Sequence, residues 1–126
     1  MNAKIESVWA RTRALRPIVE AHRSEADILR SLPDAIAQGF INANAYRVLV
    51  PEDFGGDEID PITYYDLIEE VSSYDGSVGW NYCIGSTSGI MLGDLPSERL
   101  RAIFASADSC VAGAGRPTGR ALPSAP

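Results

Sequence analysis

"DGSVGWNYCIGSTSGIMLGD" occupies positions 75 to 94. From Gly76 to Gly93 no residue is charged, and small residues alternate with large apolar ones. A membrane span needs about 20 predominantly apolar residues. Here Asn81, Ser86, Thr87 and Ser88 interrupt the apolar run, so the stretch is not a span. The spacing instead predicts a helix over 77–92, buried on several faces. Gly85, Gly89 and Gly93 recur every fourth position, which on a helix makes one stripe without side chains. Each helical glycine costs about 1 kcal/mol relative to alanine. The stripe therefore implies a close approach, either by another helix or by a flat ligand, and the two uses can coexist.

The surrounding chain has 126 residues, of which 45% are hydrophobic and 22% charged. That is enough for one globular domain with a real core. The net charge of −6 comes without a basic cluster, which excludes a nucleic-acid partner. Cys83, Cys110 and the single His22 do not make a zinc site of ordinary spacing. The thiols are expected to be buried and reduced, as in a cytosolic protein. Lys4, Glu6, Arg11 and Arg13 leave no apolar signal-peptide region at the start, so a cytoplasmic location is expected.

Helical signals flank the uncharged stretch on both sides. Leu15, Ile18, Val19, His22, Ala26 and Leu29 recur at three and four within a helix expected over 4–31. Pro17 either kinks it or starts a second helix in its first turn. Ser31 is expected to cap a short helix that Gly39 ends in left-handed geometry. Val48, Leu49 and Val50 form an apolar run that Pro51 stops, and Gly55-Gly56 marks a turn. Asp60-Pro61 reads as a cap followed by a first-turn proline, opening a helix to about Ser73. Glu69 and Glu70 are adjacent, so on a helix they point about 100° apart and read as a solvated face. Asp75 caps the uncharged helix, and Ser97 caps one more, to about Ala105. After Ser109, "CVAGAGRPTGRALPSAP" has no helical period. The expected fold is all-α, with a helical domain over 1–108 and an extended segment over 109–126.

Four stretches in order resemble the amino-terminal helical domain of the acyl-CoA dehydrogenase superfamily. They are "LRPIVEAHRSEADILRSLPDAIAQGF", "YRVLVPEDFGG", "IEEVSSYDGSVGW" and "AGRPTGRA". The resemblance implies an acyl-CoA dehydrogenase-like helical bundle whose last motif opens a β-domain. Gly79-Trp80 and the Arg116–Arg120 run are similar in texture to the flavin-dependent monooxygenase branch, which uses reduced flavin supplied by a reductase. By that resemblance, Trp80, Arg116 and Thr118 would approach the flavin, FAD or FMN. Ser88, which stands where many of these enzymes carry a histidine, would face the substrate, acyl-CoA or an aromatic compound. Ala112, Gly113 and Ala114 replace a Ser-rich stretch. No residue of this chain matches the family's catalytic base.

Two readings follow. In the first, the chain forms one wall of the flavin and substrate site of an oxidoreductase, and alone is inactive and self-associating, with a homo-oligomer expected. In the second, it is a non-catalytic helical module that uses the same scaffold for contacts or dimerisation.

Overall fold

A computed structural model describes residues 2–113, 115, 116 and 118–123. Ala114 and Pro117 of the last motif, and 124–126 of the tail, lie outside the described residues. Among the described residues six α-helices follow in order: α1 (Ala3–Arg13), α2 (Arg16–Leu29), α3 (Asp34–Asn42), α4 (Pro61–Tyr74), α5 (Gly76–Thr87) and α6 (Ser97–Ile103). Short 3₁₀ turns cover Ala45–Arg47, Glu52–Phe54 and Ser88–Leu92. No strand occurs among the described residues, so the architecture is all-helical as expected.

The helix expected over 4–31 is two helices. Pro17 sits in the first turn of α2. It lacks an N–H and its ring collides with the carbonyl four residues back, so the chain breaks at Ala14–Leu15. Ser31 does not cap α3, which begins after Pro33 without a side-chain cap. Gly39 does not end it either. A Cβ there would meet Ile18 Cδ1 at 3.2 Å, so Gly39 serves the approach of α3 to α2, and the helix runs on to Asn42. The left-handed residue after it is Asn44, with φ 55°, a residue type that tolerates that region. Ser97 is the first residue of α6, not its cap.

The caps at the centre of the chain are as the sequence implies. Asp60 accepts hydrogen bonds from the N–H groups of Ile62 and Thr63, both at 3.0 Å, and Pro61 opens α4. Gly55 turns the chain at φ 81°. Gly56 lies so close to the Val50 carbonyl that no side chain fits. Behind that turn, the N–H groups of Asp57, Glu58 and Ile59 donate to the carbonyls of Arg47, Val50 and Val48.

α4 and α5 form the central pair, separated by Asp75 alone. Val71, Tyr74, Val78 and Tyr82 are buried between them and α1–α3, beside Val8, Val19, Ile36, Phe40 and Leu67. Gly79 is the point of closest approach. A Cβ on it would stand 2.7 Å from Ser72 Cα and would also collide with the Ser72 hydroxyl. The expected Gly85–Gly89–Gly93 stripe does not persist. A Cβ at Gly85 would lie 2.6 Å from Tyr46 Cδ1. At Gly89 it would make ordinary contact with Val50 at 3.4 Å, and Gly93 is exposed. The cause is the 3₁₀ segment. Ser86, Thr87 and Ser88 each donate to the carbonyl four residues back. Such bonds loosen and bend a helix, and a 3₁₀ turn rotates every fourth residue off the shared face.

A smaller cluster of Val50, Leu100 and Phe104 docks α6. Arg47, 7% exposed, lies 5.4 Å from the Phe104 ring and donates to the Ser106 carbonyl. Of the two free thiols, Cys83 is half-buried, but Cys110 is exposed, contrary to the expectation of burial. Glu70 is no solvated carboxylate: it accepts from the Tyr74 hydroxyl at 2.7 Å.

Gly79→Ala is expected to destabilise the fold by about 1–3 kcal/mol, since α4 and α5 must separate. Gly93→Ala should change stability by less than about 0.5 kcal/mol. Urea unfolding of both variants measures the contrast.

Candidate functional site

The site is built on α5, and α5 is positioned by the residue that precedes it, Asp75. The Asp75 carboxylate accepts from the N–H groups of Ser77 at 2.9 Å and Val78 at 3.1 Å, and from the Ser77 hydroxyl at 2.6 Å. Arg23 of α2 lies 3.7 Å from the same carboxylate and donates to the Tyr74 carbonyl. The Ser77 hydroxyl bond, joined by the two N–H groups, holds the Asp75 carboxyl below its ordinary range and outweighs its partial burial.

With that end fixed, the helical period sorts the side chains. Val78, Tyr82 and Ser86 turn inward, each buried. Tyr64 bridges from α4, its hydroxyl 2.8 Å from Ser86 Oγ and donating to the Cys83 carbonyl at 3.0 Å. Burial pushes the Tyr64 hydroxyl up to about 12. Tyr82 is buried deeper, and its hydroxyl has no hydrogen-bond partner among the described residues. Burial, too, raises its pKa.

Trp80, Asn81 and Ile84 turn outward. Together with Ala26, Arg30 and Ser31 from the end of α2, they line a groove of about 510 Å³. Trp80 is 68% exposed, so its ring is a wall and not a core residue. Asn81 Oδ1 accepts from the Tyr46 hydroxyl at 2.7 Å, which assigns its amide N–H groups to the free side. Burial raises the Tyr46 hydroxyl well above its ordinary range. The groove therefore offers an aromatic plate, amide donors and a guanidinium.

The four residues singled out from sequence do not converge. Trp80 lies in the groove. Ser88 is 8% exposed and its hydroxyl donates to the Ile84 carbonyl at 2.7 Å, close to Gly113. Arg116 and Thr118 are exposed, on a segment without helix, and do not line the groove. His22 is a boundary residue, its Nδ1 2.8 Å from Glu25 Oε2. Among the described residues no group of acidic, histidine or cysteine side chains could hold a metal ion. No described helix is long and apolar enough to cross a membrane. Arg30 and Asn81 were not legible as site residues. Neither stands in a motif, and only the packing of α2 beside α5 brings them to Trp80.

The sequence matches several curated proteins over part of its length, three of which follow. It is 48% identical over 59 residues to an indole-3-acetate monooxygenase of Acinetobacter baumannii, covering 47% of this chain and 15% of that protein. It is 34% identical over 95 residues to an indole-3-acetate monooxygenase of Pseudomonas putida, covering 75% of this chain and 24% of that protein. It is 33% identical over 67 residues to the flavin-dependent monooxygenase oxygenase subunit HsaA of Rhodococcus jostii, covering 53% of this chain and 18% of that protein. The chain thus spans less than a quarter of the length of these relatives. No family model and no solved structure matches it. The similarity is to monooxygenases, one of them flavin-dependent by name.

The Asp75 cap generates a pH dependence. A carboxyl whose folded pKa is depressed stabilises the fold above its unfolded value, 3.8, and that stability is lost as pH falls through the lower folded value. Asp75→Ala is expected to lose about 1 kcal/mol at pH 7, and the deficit should shrink as pH falls below about 4. Urea titrations of both proteins between pH 2 and pH 7, both values about the useful limits, test it.

Proposed function

We propose that this chain forms the amino-terminal helical part of a flavin-dependent monooxygenase on an acyl-CoA dehydrogenase-like scaffold, its α2/α5 face making one wall of the flavin and substrate site. The exposed indole of Trp80 carries the reading. An aromatic side chain of this size buries 150–250 Å², roughly, when covered, and here most of it stands bare at a groove. Monooxygenase relatives, two of them named for indole-3-acetate, favour an aromatic substrate over an acyl-CoA. The oxygenase-subunit name of the third supports a separate flavin reductase as partner, and the expected setting is cytoplasmic.

In this proposal Trp80 stacks beside the isoalloxazine or the substrate ring. Ser88 borders the substrate from the end of α5. Arg116 and Thr118 lie where the chain enters a β-domain and would reach the cofactor from there. The residues present fit a planar ring on one side, through the open Trp80 face and a groove of about 510 Å³. The flavin, when bound, supplies the activation of dioxygen. What this chain supplies is shape: Asp75 and Gly79 hold α5 so that the ring meets Trp80 at a fixed depth. No residue here is assigned as catalytic base.

A second reading, a non-catalytic interaction module, draws on a different observation. Ile28, Ile62, Tyr65 and Met91 are 69–83% exposed, apolar side chains of the kind that mark protein contacts.

Alone, the chain is expected to hold flavin poorly. Binding must overcome about 4–15 kcal/mol of lost translational and rotational freedom, and one aromatic contact returns about 0.5–1.5 kcal/mol. The purified chain should be colourless after incubation with excess FAD or FMN and desalting, and should elute from a sizing column as more than a monomer. A retained visible flavin band at one equivalent per chain would contradict the one-wall account.

A further inference from the structure

We infer that the groove between α2 and α5 recognises a planar aromatic ligand through a negatively charged group, with Arg30 as the anion-pairing residue and Trp80 as the ring wall. The inference rests on the wall reading above and adds the charge of the ligand. Arg30 stands apart from the arginines that precede it. Arg11, Arg13, Arg16 and Arg23 each lie within 4.0 Å of a carboxylate. Arg30 is exposed, lines the groove, and has no ion-pair partner among the described residues.

Its backbone is the second observation. Arg30 closes α2 with φ 53° and ψ 30°, the left-handed terminus at which glycine is the usual residue. A non-glycine side chain there costs free energy, and such costs gather at functional positions. Here the side chain kept at that cost is the groove's cation. Asn81 supplies the third. The Tyr46 hydroxyl occupies its oxygen, so its amide presents donors, the right polarity for an anion. Asp27 lines the same groove. It repels an anion from the preceding turn of α2 and so directs the charged group toward Arg30 and Asn81. The volume suits a small ligand, within the usual 300–1,000 Å³, approximately.

Two sources share this chemistry: the carboxylate of an aromatic acid and the phosphate of FMN. The test uses the isotopically labelled chain and follows the Trp80 indole N–H by NMR. Indole-3-acetate is titrated against neutral indole-3-acetamide, and FMN against neutral riboflavin. An exposed ion pair predicts that a charged ligand binds about two- to fivefold tighter than its neutral counterpart at low salt. The preference should fade near 0.5 M salt, approximately, as the pair is screened. It should vanish in Arg30→Gln and Arg30→Gly, and the glycine variant suits the left-handed terminus, so its fold is kept. A preference confined to one pair of ligands supports the subsite and identifies the source as carboxylate or phosphate. Equal binding of charged and neutral ligands, or a preference that survives in Arg30→Gly, overturns the anion assignment and leaves the Trp80 wall standing. If none of the four ligands moves the Trp80 signal up to its solubility limit, the inference falls, whereas the wall reading, which expects the lone chain to bind weakly, does not turn on this outcome.

Discussion

The single-residue link at Asp75 is the constraint on which the rest of the structure depends. α4 ends at Tyr74 and α5 begins at Gly76. A link that short leaves no slack, so the two helices must pack at once. Gly79 allows it by meeting Ser72 without a side chain. Asp75 meets the orphan N–H groups of the new helix and draws Arg23 of α2 to the same corner. The cap contributes about 1 kcal/mol. The larger effect is burial of Tyr74, Val78 and Tyr82, which that corner aligns with the core. Once those three face inward, Trp80, Asn81 and Ile84 have no choice but to face out.

Much of this corner is legible in the residues themselves. Asp60-Pro61 and Asp75 have the chemistry of caps, and Gly55 that of a left-handed turn. These signals are local, and the fold does not override them. What fails is the reading of residues whose role depends on a neighbour distant in sequence. Gly39 looks like a helix stop, but Ile18 packs against it. Ser86, Thr87 and Ser88 look like tolerated small residues, but three consecutive bonds to the carbonyls behind them end the α-helix. The glycine stripe then loses its common face.

The same division holds for the site. Trp80 stands out as a large aromatic in a stretch of small residues, and it does line the groove. Arg30 does not stand out, because nothing local marks an arginine at a left-handed helix end. Ser88 occupies the other end of α5 and turns its hydroxyl onto its own helix. The face that remains open is therefore chiefly that of Trp80, Asn81 and Arg30. On the proposed reading that face would meet one side of a ring, and no opposing wall stands within the described residues.

The most direct measurement is made in a chimera. The segment of the Pseudomonas putida indole-3-acetate monooxygenase that aligns with this chain is replaced by the chain's own residues, and oxygenation of the relative's substrate is followed with Trp80 intact and as Trp80→Ala. The account predicts a chimera that holds flavin and turns over, with kcat/KM reduced about tenfold by the substitution, as expected for losing about 1.4 kcal/mol of ring contact. A folded, flavin-loaded chimera whose kcat/KM is the same with and without the indole would contradict it.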